Sequence, residues 1–176
     1  VTWQVRYAQN RIAISDLQIT LGISIYIGGM LAFAPLLRGL DQGREWVLLT
    51  ALATFTTDTL ALYVGHTLGR TPLALSISPG KTWEGAIAGL IGAVIVCMVI
   101  TPILGLPLGF LQQVFLGLLL GVVGQIGDLL ESRIKRATDV KDSGTLIPGH
   151  GGVLDRLDSI VPNLVLVYYF AMVVVI

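Results

Sequence analysis

The chain has 176 residues, 54% of them hydrophobic and only 12% charged, with 11 basic and 11 acidic side chains that cancel to zero net charge. A soluble domain carries about 25% charged residues. Half that value, with a mean hydropathy of +0.82, points to a bilayer, and zero net charge excludes a global basic surface for nucleic acid. The single cysteine, Cys97, lies in an apolar run, which excludes an internal disulfide and makes a thiolate metal site a poor reading.

The chain opens on Val1 without a signal-peptide pattern and stops at Ile176 inside an apolar run. We therefore expect one membrane domain over 1–176, as a piece of a longer protein that lacks N-terminal helices. A crossing helix needs about 20 mostly apolar residues. Residues 17–37 meet that length without a charge, and 46–69 meet it while carrying Asp58 and His66. The stretch 85–127 is uncharged and too long for one crossing; TPILGLPLG (101–109), with two prolines and two glycines, is the natural break. This predicts helices over 85–103 and 110–130, the latter extended by a polar tail, and a fifth over 159–176. The fold class expected is all-α, a polytopic membrane protein of about five helices.

With five crossings, alternate loops fall on alternate sides. One side collects Arg6, Arg11, Arg70, Lys81, Arg133, Lys135, Arg136, Lys141 and Arg156; the other has Arg38 and Arg44. That asymmetry predicts that the N-terminus and the charged loops face the cytoplasm. It also brings the 68–85 loop and the block 132–158 to one face. The block holds nine of the 22 Asp, Glu, Lys and Arg residues.

Several residues there could carry chemistry. In GQIGDLLESRIKR, Asp128, Ser132 and Lys135 fall at i, i+4 and i+7 and share a helix face. The competing reading is an interfacial helix end, with Glu131 paired to Lys135 and with Arg133 and Arg136 reaching lipid headgroups. An acid such as Asp128 at the edge of hydrocarbon needs a partner or a metal. In GHGGVLDRLDS, Gly149, Gly151 and Gly152 permit close backbone approach, while Asp155 and Asp158 share a face as the last helix begins. Acids at a helix start also suit the helix dipole. Asp128, Asp142 and Asp155, drawn from separate segments, suggest hard oxygen ligands for Mg²⁺; without HExxH or a Cys/His cluster, zinc is disfavoured. His150 reads as a loop hydrogen-bonder or substrate contact. Asp58, ionisable inside a membrane helix, is either functional or bonded to Thr56, Thr57 or Thr59. In SISPGKTWEG, Lys81 at a helix start is a weak phosphate-site signal, Glu84 a possible cap and Trp83 an interfacial anchor. Basic groups to neutralise phosphates beside acids to hold bridging cations are the parts that phosphoryl-transfer chemistry needs.

The pattern Ser132-x-Ile134-Lys135-Arg136, Lys141-Asp142, Gly144, Pro148, His150-Gly151-Gly152, Asp155-Arg156 and Asp158 resembles the motif of CDP-diacylglycerol synthases (phosphatidate cytidylyltransferases). The likeness runs from about Asp58 to Asp158. It departs at Gly80, where the family typically has a second lysine, and at Leu62, where an aromatic is usual. The resemblance implies that CTP and phosphatidate give CDP-diacylglycerol and pyrophosphate, with Mg²⁺ and a second cation such as K⁺. It implies Asp128, Asp155 and less firmly Asp142 as metal ligands, and Lys135 and Lys141 against the reacting phosphates. Ser132, Arg136, His150, Gly151, Gly152 and Arg156, with Lys81 and Asp58 upstream, would bind substrates. It further implies a homodimer formed through membrane helices. The alternatives are a related CTP-dependent enzyme of the CDP-archaeol synthase type, a small ion-coupled transporter, and a piece inactive by itself. The transporter would show paired broken helices in two halves, a symmetry this sequence lacks.

Overall fold

The structure is a computed structural model that describes residues 21–22, 24–137 and 158–175. Five helices and one small hairpin make up the described chain: α1 (Ser24–Arg38), α2 (Gly43–Leu68), β1 (Pro72–Ala74), β2 (Ser78–Thr82), α3 (Trp83–Leu104), α4 (Phe110–Ala137) and α5 (Ile160–Val175). By length and composition α2, α3 and α4 could each cross a membrane, whereas α1 and α5 are shorter apolar helices. At 1.5 Å per residue, the 26 residues of α2 extend about 39 Å, beyond a hydrocarbon core of about 30 Å. The protein is an α-helical integral membrane protein.

Local chemistry sets the helix ends. Pro35 lacks an N–H and its ring presses on the carbonyl four residues back, and the helical path of α1 is interrupted by a turn at Ala32. The α1–α2 turn passes through Gln42 at φ 51°, whose amide Nε2 reaches the Gly105 carbonyl at 3.1 Å. The Thr82 hydroxyl caps α3 by accepting from the Gly85 N–H at 3.2 Å. That helix ends with Gly105 at φ +69° and with the Leu106 N–H bonded back to the Thr101 carbonyl at 3.1 Å, a left-handed C-terminal cap. The break foreseen in 101–109 therefore lies between Leu104 and Phe110. Residues 68–85, read from sequence as a loop, contain an antiparallel hairpin in which Pro72 pairs with Thr82 and Ala74 with Ser78.

Helices α2, α3 and α4 pack in sequence through glycines. A Cβ on Gly89 would sit 2.8 Å from the Thr57 carbonyl of α2, and one on Gly117 would sit 2.5 Å from the Val94 Cα of α3. Small residues permit such close approach where lipid supplies no hydrophobic drive between helices. The apolar core of Leu37, Trp46, Leu49, Cys97, Leu116, Leu120 and Val167 fills one half of the bundle. It comes from the end of α1, the first half of α2, the second half of α3, the first half of α4 and the middle of α5. Cys97 is buried there, a packing residue. On the outer side of α3, Ile87, Ile91, Ile95, Val99 and Ile103 recur every fourth residue and are all more than half exposed, as a lipid-facing stripe would be.

The buried threonines of α2 are satisfied within their own helix. Thr50, Thr54 and Thr57 donate to the carbonyls of Trp46, Thr50 and Ala53, each at 2.8 Å. The fully buried Asn163 of α5 donates to Thr54 Oγ1 at 2.9 Å and to the Leu120 carbonyl at 3.2 Å, joining α2, α4 and α5.

Candidate active site

Opposite the apolar half, the ends of α2, α3 and α4 and the start of α5 surround a cavity of about 280 Å³. From α2 come Asp58, Leu62 and His66, at i, i+4 and i+8 on one face. Gly80 and Lys81 enter from β2, Gln125 and Asp128 from α4, and Asp158 and Ser159 from the turn before α5. Gln125 Nε2 donates to the Ala86 carbonyl at 3.0 Å, bracing α4 against α3 beneath the cavity.

Its acids gather. Asp128, Glu131 and Asp158 each place a carboxylate oxygen within 4.8 Å of the others. Asp128 and Glu131 are one helical turn apart on α4. Asp158 reaches them because α5 begins hard against Gly127, where an added Cβ would lie 2.6 Å from the Asp158 carbonyl oxygen. Two like charges at this separation repel by roughly 3 kcal/mol at an effective dielectric of about 20. Two ammoniums offset part of that: Lys81 Nζ lies 2.6 Å from Asp128 Oδ2 and Lys135 Nζ lies 3.1 Å from Glu131 Oε2. Asp158 Oδ1 accepts from the Ser159 N–H at 2.7 Å and from its hydroxyl at 3.3 Å. Burial raises the Asp158 pKa above the ordinary carboxylate value; Asp128's charge adds to that, while hydrogen bonds with Glu131 and the Ser159 backbone oppose it. Three converging carboxylate oxygens, one of them on the buried Glu131, are a donor set that could hold a metal ion, and hard oxygen donors suit a divalent cation such as Mg²⁺.

The cytidylyltransferase family model matches residues 1–174. The chain belongs to the cytidylyltransferase family. It is 42% identical over 142 residues to a phosphatidate cytidylyltransferase of Bacillus subtilis (strain 168), covering 80% of this chain and 52% of that one. It is 42% identical over 146 residues to a phosphatidate cytidylyltransferase of Brucella abortus, covering 82% of this chain and 54% of the relative. A chloroplastic phosphatidate cytidylyltransferase of Arabidopsis thaliana is 47% identical over 128 residues, 73% of this chain and 32% of its own. The chain thus spans about half the length of these bacterial relatives and a third of the plant one.

Of the residues singled out from the sequence, the fold brings Asp58, Lys81, Asp128 and Asp158 together in the cavity. Thr57 and Thr59 direct their hydroxyls to backbone carbonyls of their own helix, so they do not occupy Asp58. Ser132 and Lys135 follow on the last turns of α4, and Arg136 Nε donates to the Ile77 carbonyl of the hairpin at 3.4 Å. Thr82 is the N-cap of α3, and Glu84 stands in its first turn. The Glu84 carboxylate accepts from the Thr71 N–H and hydroxyl, at 3.2 and 2.9 Å. Lys141, Asp142, His150, Gly151, Gly152, Asp155 and Arg156 lie outside the described residues.

Sequence reasoning missed Glu131 as a cluster member, giving it only the pairing with Lys135. Its position at i+3 from Asp128 was the available signal. It also left His66 and Gln125 without a role. Both family departures, Leu62 and Gly80, line the cavity.

Proposed function

We propose that this protein catalyses cytidylyl transfer from CTP to phosphatidate, giving CDP-diacylglycerol and pyrophosphate at the cytoplasmic face of a cell membrane. The observation that carries this reading is a cluster of three carboxylates and two ammoniums beside a cavity at the end of a membrane helix bundle, in a chain of the cytidylyltransferase family. Named relatives at 42–47% identity are phosphatidate cytidylyltransferases.

Asp128 is the residue on which the metal reading centres, with Glu131 and Asp158 supplying further oxygens; Asp155 and Asp142 are proposed from the motif. A bound Mg²⁺ would screen the triphosphate and stabilise the departing pyrophosphate. A second cation, such as K⁺, is carried by the motif resemblance alone. Lys81, with Lys135 and Lys141, would neutralise the reacting phosphates. Asp58, Ser132, Arg136, His150, Gly151, Gly152 and Arg156 would hold the substrates. A lipid phosphate oxygen bonds to the α-phosphorus of CTP as the bond to the β-phosphate oxygen breaks, and pyrophosphate leaves with that electron pair. The nucleophile is already an anion, so orientation and charge neutralisation suffice without a strong general base. The excess of Lys and Arg on one set of loops supports a cytoplasmic site. The resemblance adds a homodimer, which crosslinking in native membranes would test.

The deciding experiment supplies purified full-length protein with labelled CTP, phosphatidate and Mg²⁺. Labelled CDP-diacylglycerol and stoichiometric pyrophosphate are expected, with Asp128→Asn lowering the rate by at least about 100-fold. Wild-type rates in Asp128→Asn would refute the metal assignment. No labelled lipid with any phosphatidate tried would refute the reaction.

A further inference from the structure

Lys81 holds an unusual position. Its ammonium nitrogen is buried, lies 2.6 Å from Asp128 Oδ2, and makes no further hydrogen bond among the described residues. An ammonium carries three donors, and this side chain lines the cavity. The carboxylate it touches belongs to the group of three that could take a metal ion. Lys81 therefore sits against a charge that an entering cation would also seek.

The two ammoniums at the cluster are mounted differently. Lys135 pairs with Glu131 four residues earlier on the same helix, so the pair moves as one with α4. Lys81 arrives from a separate two-stranded hairpin. That hairpin is fastened on the α3 side, by the Trp83 N–H on the Thr71 carbonyl at 2.9 Å and by Glu84 on Thr71. Its described polar links to α4 are the Lys81–Asp128 pair and the long Arg136–Ile77 contact of 3.4 Å. Gly80, next to Lys81, has open space around it, with nothing within 4 Å of an added Cβ. Lys81 can leave Asp128 without disturbing the helix that carries the acids.

We propose that Lys81 is a displaceable internal cation: it neutralises Asp128 in the ion-free protein, and a divalent cation entering the Asp128–Glu131–Asp158 cluster releases its ammonium to bind a phosphate of the substrate. The proposal rests on the metal-dependent reading given above and deepens it. Its consequence is a sign rule. Lys81 and the metal compete for Asp128, while metal and phosphate bind cooperatively, because each metal that enters frees a cation for the phosphate. Before the metal enters, the cavity presents Asp58, Asp128 and Asp158 against Lys81, an excess of negative charge that repels an anion; a divalent cation offsets that excess and leaves the freed ammonium to meet one. Substrate would thus be recruited chiefly to metal-loaded protein.

The test titrates full-length protein in lipid nanodiscs with Mg²⁺ alone by calorimetry, and then with Mg²⁺ in the presence of inorganic pyrophosphate. Lys81→Met is expected to bind Mg²⁺ about fivefold or more tightly than wild type without pyrophosphate, the low end of ordinary coupling between sites. Pyrophosphate should raise Mg²⁺ affinity in wild type and in Lys81→Arg, and much less in Lys81→Met. In wild type, the rate of amine-reagent labelling at Lys81, read by mass spectrometry, should rise on adding Mg²⁺; this measurement needs no variant to fold. Equal or weaker Mg²⁺ binding in Lys81→Met, or labelling unchanged or slowed by Mg²⁺, overturns the competition. The control is Asp128→Asn. If it abolishes Mg²⁺ binding while Lys81→Met has no effect, the metal site stands and only the displacement fails. If Mg²⁺ binding survives Asp128→Asn, the metal reading and the displacement fall together.

Discussion

Gly127→Ala should disable the carboxylate cluster without touching a charged group. Gly127 lies one residue before Asp128, where α4 meets the start of α5. An added methyl would stand 2.6 Å from the Asp158 carbonyl oxygen and 2.7 Å from Pro162 Cγ. Neither neighbour is a flexible side-chain end: one is backbone and the other a ring that opens α5. The strain cannot be relieved by a rotamer change, so α5 has to retreat. Ordinary contact begins near 3.4 Å, which asks for a shift of about 0.8 Å. Ligand positions in a working site tolerate about 0.5 Å, and misplacement by about 1 Å can cost 10²-fold in rate. We therefore expect Mg²⁺ affinity to fall about tenfold or more and CTP turnover to fall by about 10²-fold, with helix content by circular dichroism unchanged. Gly28→Ala is the matched control, because a Cβ there meets nothing within 4 Å; it should leave both quantities at wild-type values and stabilise the helix by up to about 1 kcal/mol. A Gly127→Ala protein with wild-type Mg²⁺ affinity would refute the reasoning, since it would mean that the cluster does not depend on the closeness of α5.

Two further substitutions test the frame around the site. Asn163→Ala removes hydrogen bonds to Thr54 and Leu120 from a fully buried position. It should destabilise by about 1–3 kcal/mol, read as a lower midpoint of unfolding in mixed micelles; an unchanged midpoint would deny the three-helix junction. Gly105→Ala forces a side chain into φ +69° at the end of α3 and should cost about 1–2 kcal/mol in the same assay. Its turnover at saturating substrate should be unchanged, because Gly105 lies at the far end of the bundle from the cavity.

How much of this was legible in the sequence follows from which interactions are local. Membrane character, the uncharged runs and the break near Pro102 are statements about consecutive residues, and composition and chain chemistry carry them. The family was legible for a similar reason: the motif between Ser132 and Asp158 is a run of closely spaced residues, and the family match over 1–174 shows it. Spacing on one helix could also have placed Glu131 beside Asp128, since i and i+3 share a face whatever the rest of the chain does.

The meeting of Lys81 with Asp128 and of Asp158 with Glu131 is of another kind. Each joins separate elements, and which side chains meet depends on how far the helices slide and how closely their axes approach. Glycines at 85, 89, 117 and 127 set those distances through contacts with Ala61, Thr57, Val94 and Asp158. A sequence shows that a glycine is present but not which backbone will lie against it. The hairpin at 72–82 escaped notice because three- and five-residue strands carry almost no periodicity. The sequence by itself determined that the chain is apolar enough for a membrane and that its charges gather in one block, 132–158. Tertiary packing decided which acids among the described residues converge, and which lysine lies against Asp128, because those distances are properties of helix contact rather than of chain order.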